Sequence, residues 1–395
     1  MPAPYGAVVI VGGSIAGVTA ADELRVAGHV GPIVLIDEQR HRPYARPPLS
    51  KAILTGKEAL DSAFLPALDD LDVDLCTDTT AIDLVPDEAV LILSSGERLH
   101  YDGLVVATGA SPVTMADLGL NQTGLPELVL RTLDDVVLLA GAFSSAQSII
   151  VVGGGILGME LASAARDAGL VTTVLTNEPP LLSMGGTFLS NLVSERAERA
   201  GVTVHHDPAG VELIERGGRL AASLAGREFA ADIVVTAVGD RPRVEWLLSS
   251  GLADRRGVPV DSRCRVTANI VAAGDVTTWG DRRRTPHWAA AMDQARVAAR
   301  ALVAGDAAEP YQPRPYFWSD QFGLALKMAG ECPFPGRPVL LDGEEELGRA
   351  VFQWRSPDGD PIGAMTVNTP MAIARLHRTA GTAPRPPIRT IKELR

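Results

Sequence analysis

Two strand–glycine–helix segments, one beginning at residue 8 and the other at residue 148, constrain the fold of this chain more than any other feature. The first, VVIVGGSIAG at 8–17, joins a run of branched apolar residues, typical of a buried parallel strand, to a glycine turn. Apolar residues at helical spacing follow at 16–27, and a second buried strand is expected at 33–36. Because this order of elements aims backbone N–H groups at a pyrophosphate, it predicts a dinucleotide site.

The second segment, SIIVVGGGILG at 148–158, repeats the plan with Gly153, Gly155 and Gly158 in the full GxGxxG spacing. A helix is expected at 159–168 and the returning strand at 171–175. In the first loop Gly12 and Gly17 fit the pattern, but Ser14 takes the second glycine position. An α/β turn without a ligand would explain either loop alone, whereas the repeat of both is much more specific.

The repeat implies a chain that leaves one domain, builds a second and then returns. The strand before Gly109 runs into Pro112, where the exit is expected, and the segment at 236–240 echoes it. Past residue 311, short strand-like runs at 339–341, 349–354 and 363–367 and a helix at 370–378 indicate a further domain. We therefore expect a discontinuous first domain (1–110 and 236–310), a second (111–235), a C-terminal domain (311–380) and an extended or disordered proline-rich tail (381–395).

Composition excludes several classes of protein. With 395 residues, 46% hydrophobic and 21% charged, the chain is typical of globular multi-domain proteins. The N-terminus lacks the pattern of a signal peptide, no long apolar run could span a membrane, and the net charge of −12 disfavours nucleic-acid binding. Three widely spaced cysteines show no metal-binding pattern, so we assign no metal site and expect a cytoplasmic protein.

The sequence RPPLSK at 46–51 predicts a rigid arm beside the first loop. Pro47 and Pro48 are expected to hold Arg46 extended, and Ser50 to cap a short helix whose first turn contains Lys51. A cation on such an arm could face a cofactor ring. A solvated lysine on a capped surface helix is the alternative.

Motifs spread over nearly the whole chain carry a family resemblance. They are RPPLSK (46–51), ATGASP (107–112), LRT (130–132), GGGILGMELA (153–162), AVGDRP (237–242), AAGDV (272–276), PHWAAAMDQAR (286–296) and YFWSDQFG (316–323). In these the chain resembles the NADH-dependent ferredoxin reductases that serve oxygenases, flavoproteins of the putidaredoxin reductase type. The resemblance implies an α/β fold of the glutathione-reductase-like class: two Rossmann-like domains, with the FAD domain interrupted by the NAD domain, and a C-terminal α/β domain.

The resemblance also implies residues for FAD. Ala16 would approach the pyrophosphate, Glu38 the adenosine ribose, Arg131 the adenine side and Asp275 the ribityl chain, and the backbone of Trp288 would contact the flavin ring. The full implied FAD set is Gly12, Ser14, Ala16, Gly17, Glu38, Arg46, Lys51, Ile82, Thr108, Gly109, Arg131, Gly274, Asp275 and Trp288.

Three residues are implied in catalysis. Lys51 would pair with Glu160 at the flavin ring, since a buried lysine needs such a partner. Trp318 would lie where the nicotinamide stacks on that ring, the alternative being an ordinary core tryptophan. The set implied for NAD is Gly153, Gly155, Gly158, Glu160, Asn177, Glu178 and Gly239.

The returning strand of the second unit departs from the family pattern. Where the family has an acid for the ribose, this chain has Leu175, and Asn177 or Glu178 could substitute for it. No Lys, Arg or His lies between Arg166 and Arg196, which favours NADH over NADPH. On this interpretation, Leu175→Glu should tighten NADH binding.

Cysteine content favours a one-electron acceptor. Because residues 39–60 contain no cysteine, electrons should leave directly from the flavin, one at a time, to a one-electron acceptor. The resemblance implies that this acceptor is a 2Fe-2S ferredoxin that feeds a P450 or Rieske-type oxygenase. The candidate docking residues are Arg282, Arg283 and Arg284, with Arg40, Arg42 and Arg46; solvated loops are the alternative. The alternative function is a flavin-bearing interaction protein, or an NADH oxidase, with a weakened nicotinamide site.

Overall fold

A computed structural model of the chain describes residues 6–280, 284–344 and 348–382. Short 3-10 helices at Pro47–Ser50, Leu60–Ala63, Asp69–Leu71, Pro86–Glu88, Glu245–Leu247 and Gly305–Ala307 connect the longer elements. None of the helices within the described ranges combines the length and apolar character needed to cross a bilayer.

The N-terminal part forms a parallel sheet and an antiparallel meander. Its elements are β1 (Val8–Val11), α1 (Ile15–Val26), β2 (Ile33–Ile36), β3 (Val73–Cys76), β4 (Ala81–Val85), β5 (Val90–Leu93), β6 (Arg98–His100), β7 (Gly103–Val106) and β8 (Ala110–Pro112). Strands β2 and β7 flank the apolar β1 in parallel register. Both faces of β1 are buried, because Val8 and Ile10 pack in one cluster with α1 and a helix further along the chain, whereas Val9 and Val11 pack in another with the meander. Strands β4–β6 form the meander.

The next part repeats this plan. Its elements are α2 (Leu133–Ser145), β9 (Ser148–Val152), α3 (Ile156–Asp167), β10 (Val171–Thr176), α4 (Leu182–Arg199), β11 (Thr203–His206), β12 (Val211–Arg216), β13 (Arg219–Leu224), β14 (Arg227–Phe229), β15 (Ile233–Thr236) and β16 (Asp240–Pro242). A parallel sheet has the order β11-β10-β9-β15, and β12–β14 form a second meander. Both strand–loop–helix predictions are therefore confirmed.

The chain then returns to the first sheet through β17 (Val258–Val260), β18 (Ile270–Ala272), β19 (Thr277–Trp279) and α5 (Trp288–Ala304). Strand β18 joins the edge of β7, which completes the order β18-β7-β1-β2-β3, and α5 packs on α1. At the two crossings β8 pairs with β16, Asp240 facing Pro112, so the exit and the return lie side by side as the echo of motifs predicts.

The C-terminal part is an antiparallel sheet with one helix. It contains β20 (Tyr316–Gln321), β21 (Leu324–Gly330), β22 (Val339–Glu344), β23 (Arg349–Arg355), β24 (Pro361–Val367) and α6 (Ile373–Thr379), with strand order β20-β21-β24-β23-β22. The three predicted strand-like runs and the helix are confirmed with small shifts at their ends. Most of the predicted tail, 383–395, lies outside the described residues.

Two expectations for the arm at 46–51 are wrong. Arg46 has helical backbone angles (φ −82°, ψ −34°), because its carbonyl accepts a hydrogen bond from the N–H of Leu49 and so starts the 3-10 helix. Ser50 ends that helix instead of capping another, and Lys51 follows it. The Ser50 side chain is buried, and its hydroxyl is satisfied there by a hydrogen bond to Glu160 of α3.

Candidate active site

A cavity of about 970 Å³ borders the carboxyl ends of both parallel sheets. This is the edge at which open α/β sheets bind ligands. The residues that directly follow β1, β2, β7, β18, β9, β10 and β15 all line it: Gly12, Asp37, Ala107, Ala273, Gly153, Asn177 and Ala237. The two predicted dinucleotide sites are therefore parts of one continuous space.

The first and third glycines of each loop are required by packing. Gly12 has φ +114°, and a Cβ there would lie 2.2 Å from the carbonyl oxygen of Ala107. A Cβ on Gly17 would lie 1.9 Å from the carbonyl oxygen of Gly12. The second loop repeats this geometry at Gly153 and Gly158. Gly17 and Gly158 do not line the cavity, so both act by letting helix and strand approach closely.

The second loop position tolerates a serine for a conformational reason. Ser14 has φ −89°, which any residue adopts, and the equivalent Gly155 has φ −74°. A Cβ on Gly155 would meet no atom of the described residues within 4 Å. This position faces open space in the cavity, so the departure from GxGxxG leaves the loop shape intact.

All residues predicted for FAD line the cavity except Gly17 and Ile82. Ile82 is 51% exposed on β4, whereas its neighbour Ala81 lines the cavity. The side chain of Ile82 therefore lies outside the cavity, at an irregularity of β4 between Ala81 and Asp83, and its assignment to FAD stays a prediction.

The residues beside the first loop suit an anionic group. The Nε of Arg46 is enclosed and has no hydrogen-bond partner among the described residues, and Arg46 Nη1 and Arg131 Nη2 both lie 3.9 Å from where a Gly109 Cβ would be. Burial, and then the charge of Arg131, lower the pKa of Arg46. These groups, with the unpaired N–H groups in the first turn of α1, fit the pyrophosphate of a dinucleotide.

Two ion pairs join residues of the cavity. Arg131 Nη2 lies 2.9 Å from Asp275 Oδ2, so Arg131 and Asp275 share one part of the cavity, and their separate roles toward FAD stay predictions. The cation beside Glu38 is Arg243, which forms an ion pair with it and lines the cavity. Sequence reasoning missed Arg243, although it directly follows the AVGDRP motif.

The predicted ion pair between Lys51 and Glu160 is formed. Lys51 Nζ lies 2.7 Å from Glu160 Oε2, with side-chain exposures of 18% and 4%. The ammonium also donates to the carbonyl oxygen of Pro47 at 3.0 Å. Ser50 Oγ donates to the same carboxylate at 2.5 Å, and Ser319 Oγ donates to its other oxygen at 2.6 Å. Sequence reasoning missed both serines, since nothing local to either one indicates a distant carboxylate.

Aromatic side chains form the wall near this ion pair. Trp318 lines the cavity from β20, with Tyr316 and Phe317 beside it, so it is not an ordinary core tryptophan. His287 stacks on Phe317 with ring centroids 5.9 Å apart. Burial lowers the pKa of His287, which keeps its imidazole neutral at pH 7. Trp288, at the start of α5, also lines the cavity.

The register of the second sheet identifies its ribose position. The N–H of Gly12 donates to Ile36, and the N–H of Gly153 donates to Leu175, both at 2.8 Å. Leu175 is therefore equivalent to Ile36, and Thr176 and Asn177 are equivalent to Asp37 and Glu38. Leu175 borders the cavity but has no exposed surface and belongs to an apolar cluster, so the register favours Asn177 over Leu175 as the ribose position.

Asn177 and Glu178 both line the cavity, as predicted. Asn177 is exposed. Glu178 Oε1 accepts a hydrogen bond from the N–H of Ser183 at 3.2 Å, which turns its carboxylate toward the start of α4. Of the two, Asn177 therefore has the position of the first unit's ribose acid.

The arginines expected to form a docking surface lie in different environments in the structure. Arg284 is 18% exposed and pairs with Asp240 at 2.6 Å, and Arg46 lines the cavity, so neither belongs to an outer surface. Arg40 is exposed and pairs with Asp134. Arg42 lies over the ring of Phe64, and Arg282 and Arg283 fall outside the described residues.

Within the described part of the chain, none of the three cysteines lines the cavity. Burial raises the pKa of Cys264 and of Cys332 to about 12, and burial also raises the pKa of Cys76. Thiols of this kind remain protonated and unreactive at pH 7.

Comparison with known proteins adds two domain matches. Residues 6–295 match the model of pyridine nucleotide-disulphide oxidoreductases, and residues 316–389 match that of the reductase C-terminal domain. The chain is 32% identical over 385 residues to the ferredoxin–NAD(+) reductase subunit of the benzene 1,2-dioxygenase system of Pseudomonas putida, covering 94% of this chain and 91% of that protein.

Solved structures of ferredoxin reductases are similar over almost the whole chain. The ferredoxin reductase for the CYP199A2 system of Rhodopseudomonas palustris has a TM-score of 0.83 at 31% identity, covering 92% of this chain and 91% of its own. The covalent putidaredoxin reductase–putidaredoxin complex has a TM-score of 0.82 at 27% identity, covering 95% and 92%.

Proposed function

Because this chain belongs to the pyridine nucleotide-disulphide oxidoreductase family and carries a reductase C-terminal domain, we propose that it is an FAD-dependent ferredoxin reductase. It takes electrons from NADH and passes them to a 2Fe-2S ferredoxin that supplies a P450 or Rieske-type oxygenase. The observation that carries this proposal is the single cavity bordered by both glycine loops, with the Lys51–Glu160 ion pair between them.

The first loop and its neighbours would hold FAD. Arg46 and the N-terminus of α1 receive the pyrophosphate, and the Glu38–Arg243 pair lies at the adenosine end. Asp275, fixed by Arg131, offers a carboxylate to the ribityl hydroxyls. When bound, FAD accepts a hydride and releases its electrons one at a time.

The second loop would hold NADH, with Asn177 at its ribose. With the flavin bound, the positive charge of Lys51 would stabilise negative charge that develops on the flavin ring, and Glu160 holds the Lys51 ammonium in place. Trp318 supplies a flat apolar face for the nicotinamide and keeps water out. Since the three thiols are protonated, electrons leave without a cysteine relay.

The domain limits and the location belong to this proposal. Residues 1–110 and 236–310 form the FAD-binding domain, 111–235 the NAD-binding domain and 311–380 the C-terminal domain. The relatives named as dioxygenase components support a cytoplasmic protein that works with a separate ferredoxin. The alternative of a weakened nicotinamide site depended on Leu175, which lies inside β10.

The test has two stages. Purified protein should be yellow with one FAD per chain, and anaerobic NADH should bleach the flavin absorbance. Adding a 2Fe-2S ferredoxin should then give NADH-dependent reduction of cytochrome c. Protein that folds but takes up no FAD would contradict the proposal. Rapid oxygen consumption that ferredoxin does not alter would favour the oxidase instead.

A further inference from the structure

The Glu160 carboxylate joins three separate parts of the chain. Its Oε2 accepts hydrogen bonds from Ser50 at 2.5 Å and from Lys51 at 2.7 Å, both on the arm that follows Arg46. Its Oε1 accepts from Ser319 of β20 at 2.6 Å. The arm therefore holds one carboxylate oxygen and strand β20 holds the other, while helix α3 carries Glu160 itself, so the carboxylate links three parts of the chain.

The direction of the Ser319 hydroxyl is set by a second residue. Gln321, two positions along the same face of β20, donates from Nε2 to Ser319 Oγ at 2.9 Å. The hydroxyl oxygen is then an acceptor for Gln321, and its hydrogen points to Glu160. Ser319 is 1% exposed, Gln321 3% and Glu160 4%, so losing the Ser319 hydroxyl leaves buried polar atoms without a hydrogen-bond partner.

We infer that Ser319 is a positioning residue for electron transfer, acting through Glu160 on Lys51. By holding Oε1, it keeps Oε2 facing the ammonium, which fixes where the positive charge stands in the cavity. Strand β20 thus has two functions, because the adjacent Trp318 lines the same cavity. This inference rests on the proposed function.

The chain offers a matched control. Ser163 lies on α3 as Glu160 does, and its Oγ accepts a hydrogen bond at 2.8 Å from the N–H of Phe322, in the turn between β20 and β21. Ser163→Ala therefore removes a bond between the same helix and the same hairpin without touching Glu160. A merely structural role for Ser319 predicts that the two alanine variants behave alike in flavin bleaching and midpoint potential.

The experiment uses the FAD-loaded proteins. Ser319→Ala should lower the rate of flavin bleaching at saturating NADH about tenfold, with the NADH concentration for half-maximal rate nearly unchanged. Its flavin midpoint potential should become more negative. Ser163→Ala should alter neither quantity, and Ser319→Thr, which keeps the hydroxyl, should recover most of the rate. The melting temperature of cofactor-free Ser319→Ala should fall further than that of Ser163→Ala, because the substitution leaves two buried groups, Glu160 Oε1 and Gln321 Nε2, without this hydrogen-bond partner. The bleaching rate and the potential therefore distinguish a positioning role of Ser319 from a merely structural one.

A double variant tests the route through Lys51. Once Lys51→Met has removed the ammonium, adding Ser319→Ala should change the potential and the rate no further. Ser50→Ala, which removes the other hydroxyl donor, should act in the same direction as Ser319→Ala and serves in its place if that variant does not fold.

Two results would overturn the inference: equal bleaching rates and potentials of Ser319→Ala and Ser163→Ala, or effects that add fully to those of Lys51→Met. Failure of the proposed function would look different. In that case the unsubstituted protein itself would hold no FAD or show no bleaching by NADH.

Discussion

Replacing Glu160 with glutamine should destabilise the protein more than replacing Lys51 with methionine. In Glu160→Gln the Lys51 ammonium loses its charged partner and keeps only neutral oxygen acceptors: the new amide oxygen, the Pro47 carbonyl at 3.0 Å and the Ser50 hydroxyl at 3.3 Å. In Lys51→Met the carboxylate keeps two short hydrogen bonds, from Ser50 and from Ser319. The carboxylate thus remains better satisfied than the ammonium would be.

The expected loss in the free energy of unfolding follows from how deeply the two charged groups are buried. Removing one partner of a buried ion pair costs about 3–5 kcal/mol, and the 18% exposure of Lys51 favours the lower end, about 3 kcal/mol for Glu160→Gln. Lys51→Met should cost about 1–2 kcal/mol, because the two hydroxyl donors remain. In the double variant neither charge is left unpaired, so its loss should be smaller than the sum of the single losses by at least about 1.5 kcal/mol.

Urea unfolding of the cofactor-free proteins measures these differences, with Ser163→Ala as a control of the same helix. The midpoints, compared at a common slope, give the three free energies of unfolding. Losses that add within about 0.5 kcal/mol would show that the two groups are not coupled in the folded protein. A larger loss for Lys51→Met would refute the argument from the hydroxyl donors.

Four further outcomes are expected. Lys51→Met should make the flavin midpoint potential about 30–60 mV more negative in a potentiometric titration, which corresponds to the roughly 1.5–3 kcal/mol of a hydrogen bond to a charged group. If the potential and the rate of flavin bleaching by NADH are both unchanged, Lys51 is distant from the ring. Leu175→Glu should lower the free energy of unfolding by about 3 kcal/mol, since it places an unpaired carboxylate in an apolar cluster where Leu175 has no exposed surface. Tighter NADH binding by this variant would contradict the register. NADH should reduce the flavin faster than NADPH, and Asn177→Glu should increase that preference about tenfold, because a carboxylate at this position binds the ribose hydroxyls and repels a 2′-phosphate. If the ratio of kcat/KM for NADH to kcat/KM for NADPH is the same in the variant and the unsubstituted protein, the ribose lies elsewhere. Because the pKa of His287 is lowered in the folded protein, the unfolded chain binds a proton there at a higher pH than the folded protein does, so the free energy of unfolding should fall as pH drops below about 6.5. Urea titrations at several pH values should show a weaker dependence of that free energy on pH for His287→Phe.

The sequence by itself determined the elements and their order. Strand β2 occupies the predicted residues, and α1 begins and ends within one residue of the expected helix, because burial pattern and glycine spacing are local properties. The two glycine loops were also predictable, since a positive φ at Gly12 and the close approach at Gly17 leave no other residue type. The Lys51–Glu160 pair was accessible only because family motifs surround both residues.

Tertiary structure alone decided which side chains meet. Leu175 and Asn177 could not be told apart until strand register showed that Gly153 bonds to Leu175, as Gly12 bonds to Ile36. The same limit applies to Arg284, which lies in a run of arginines in the sequence but is half-buried and pairs with Asp240. Hydrogen bonds such as that of Ser319 to Glu160 join residues far apart along the chain, so they depend on how the sheets pack and leave no trace in either local sequence.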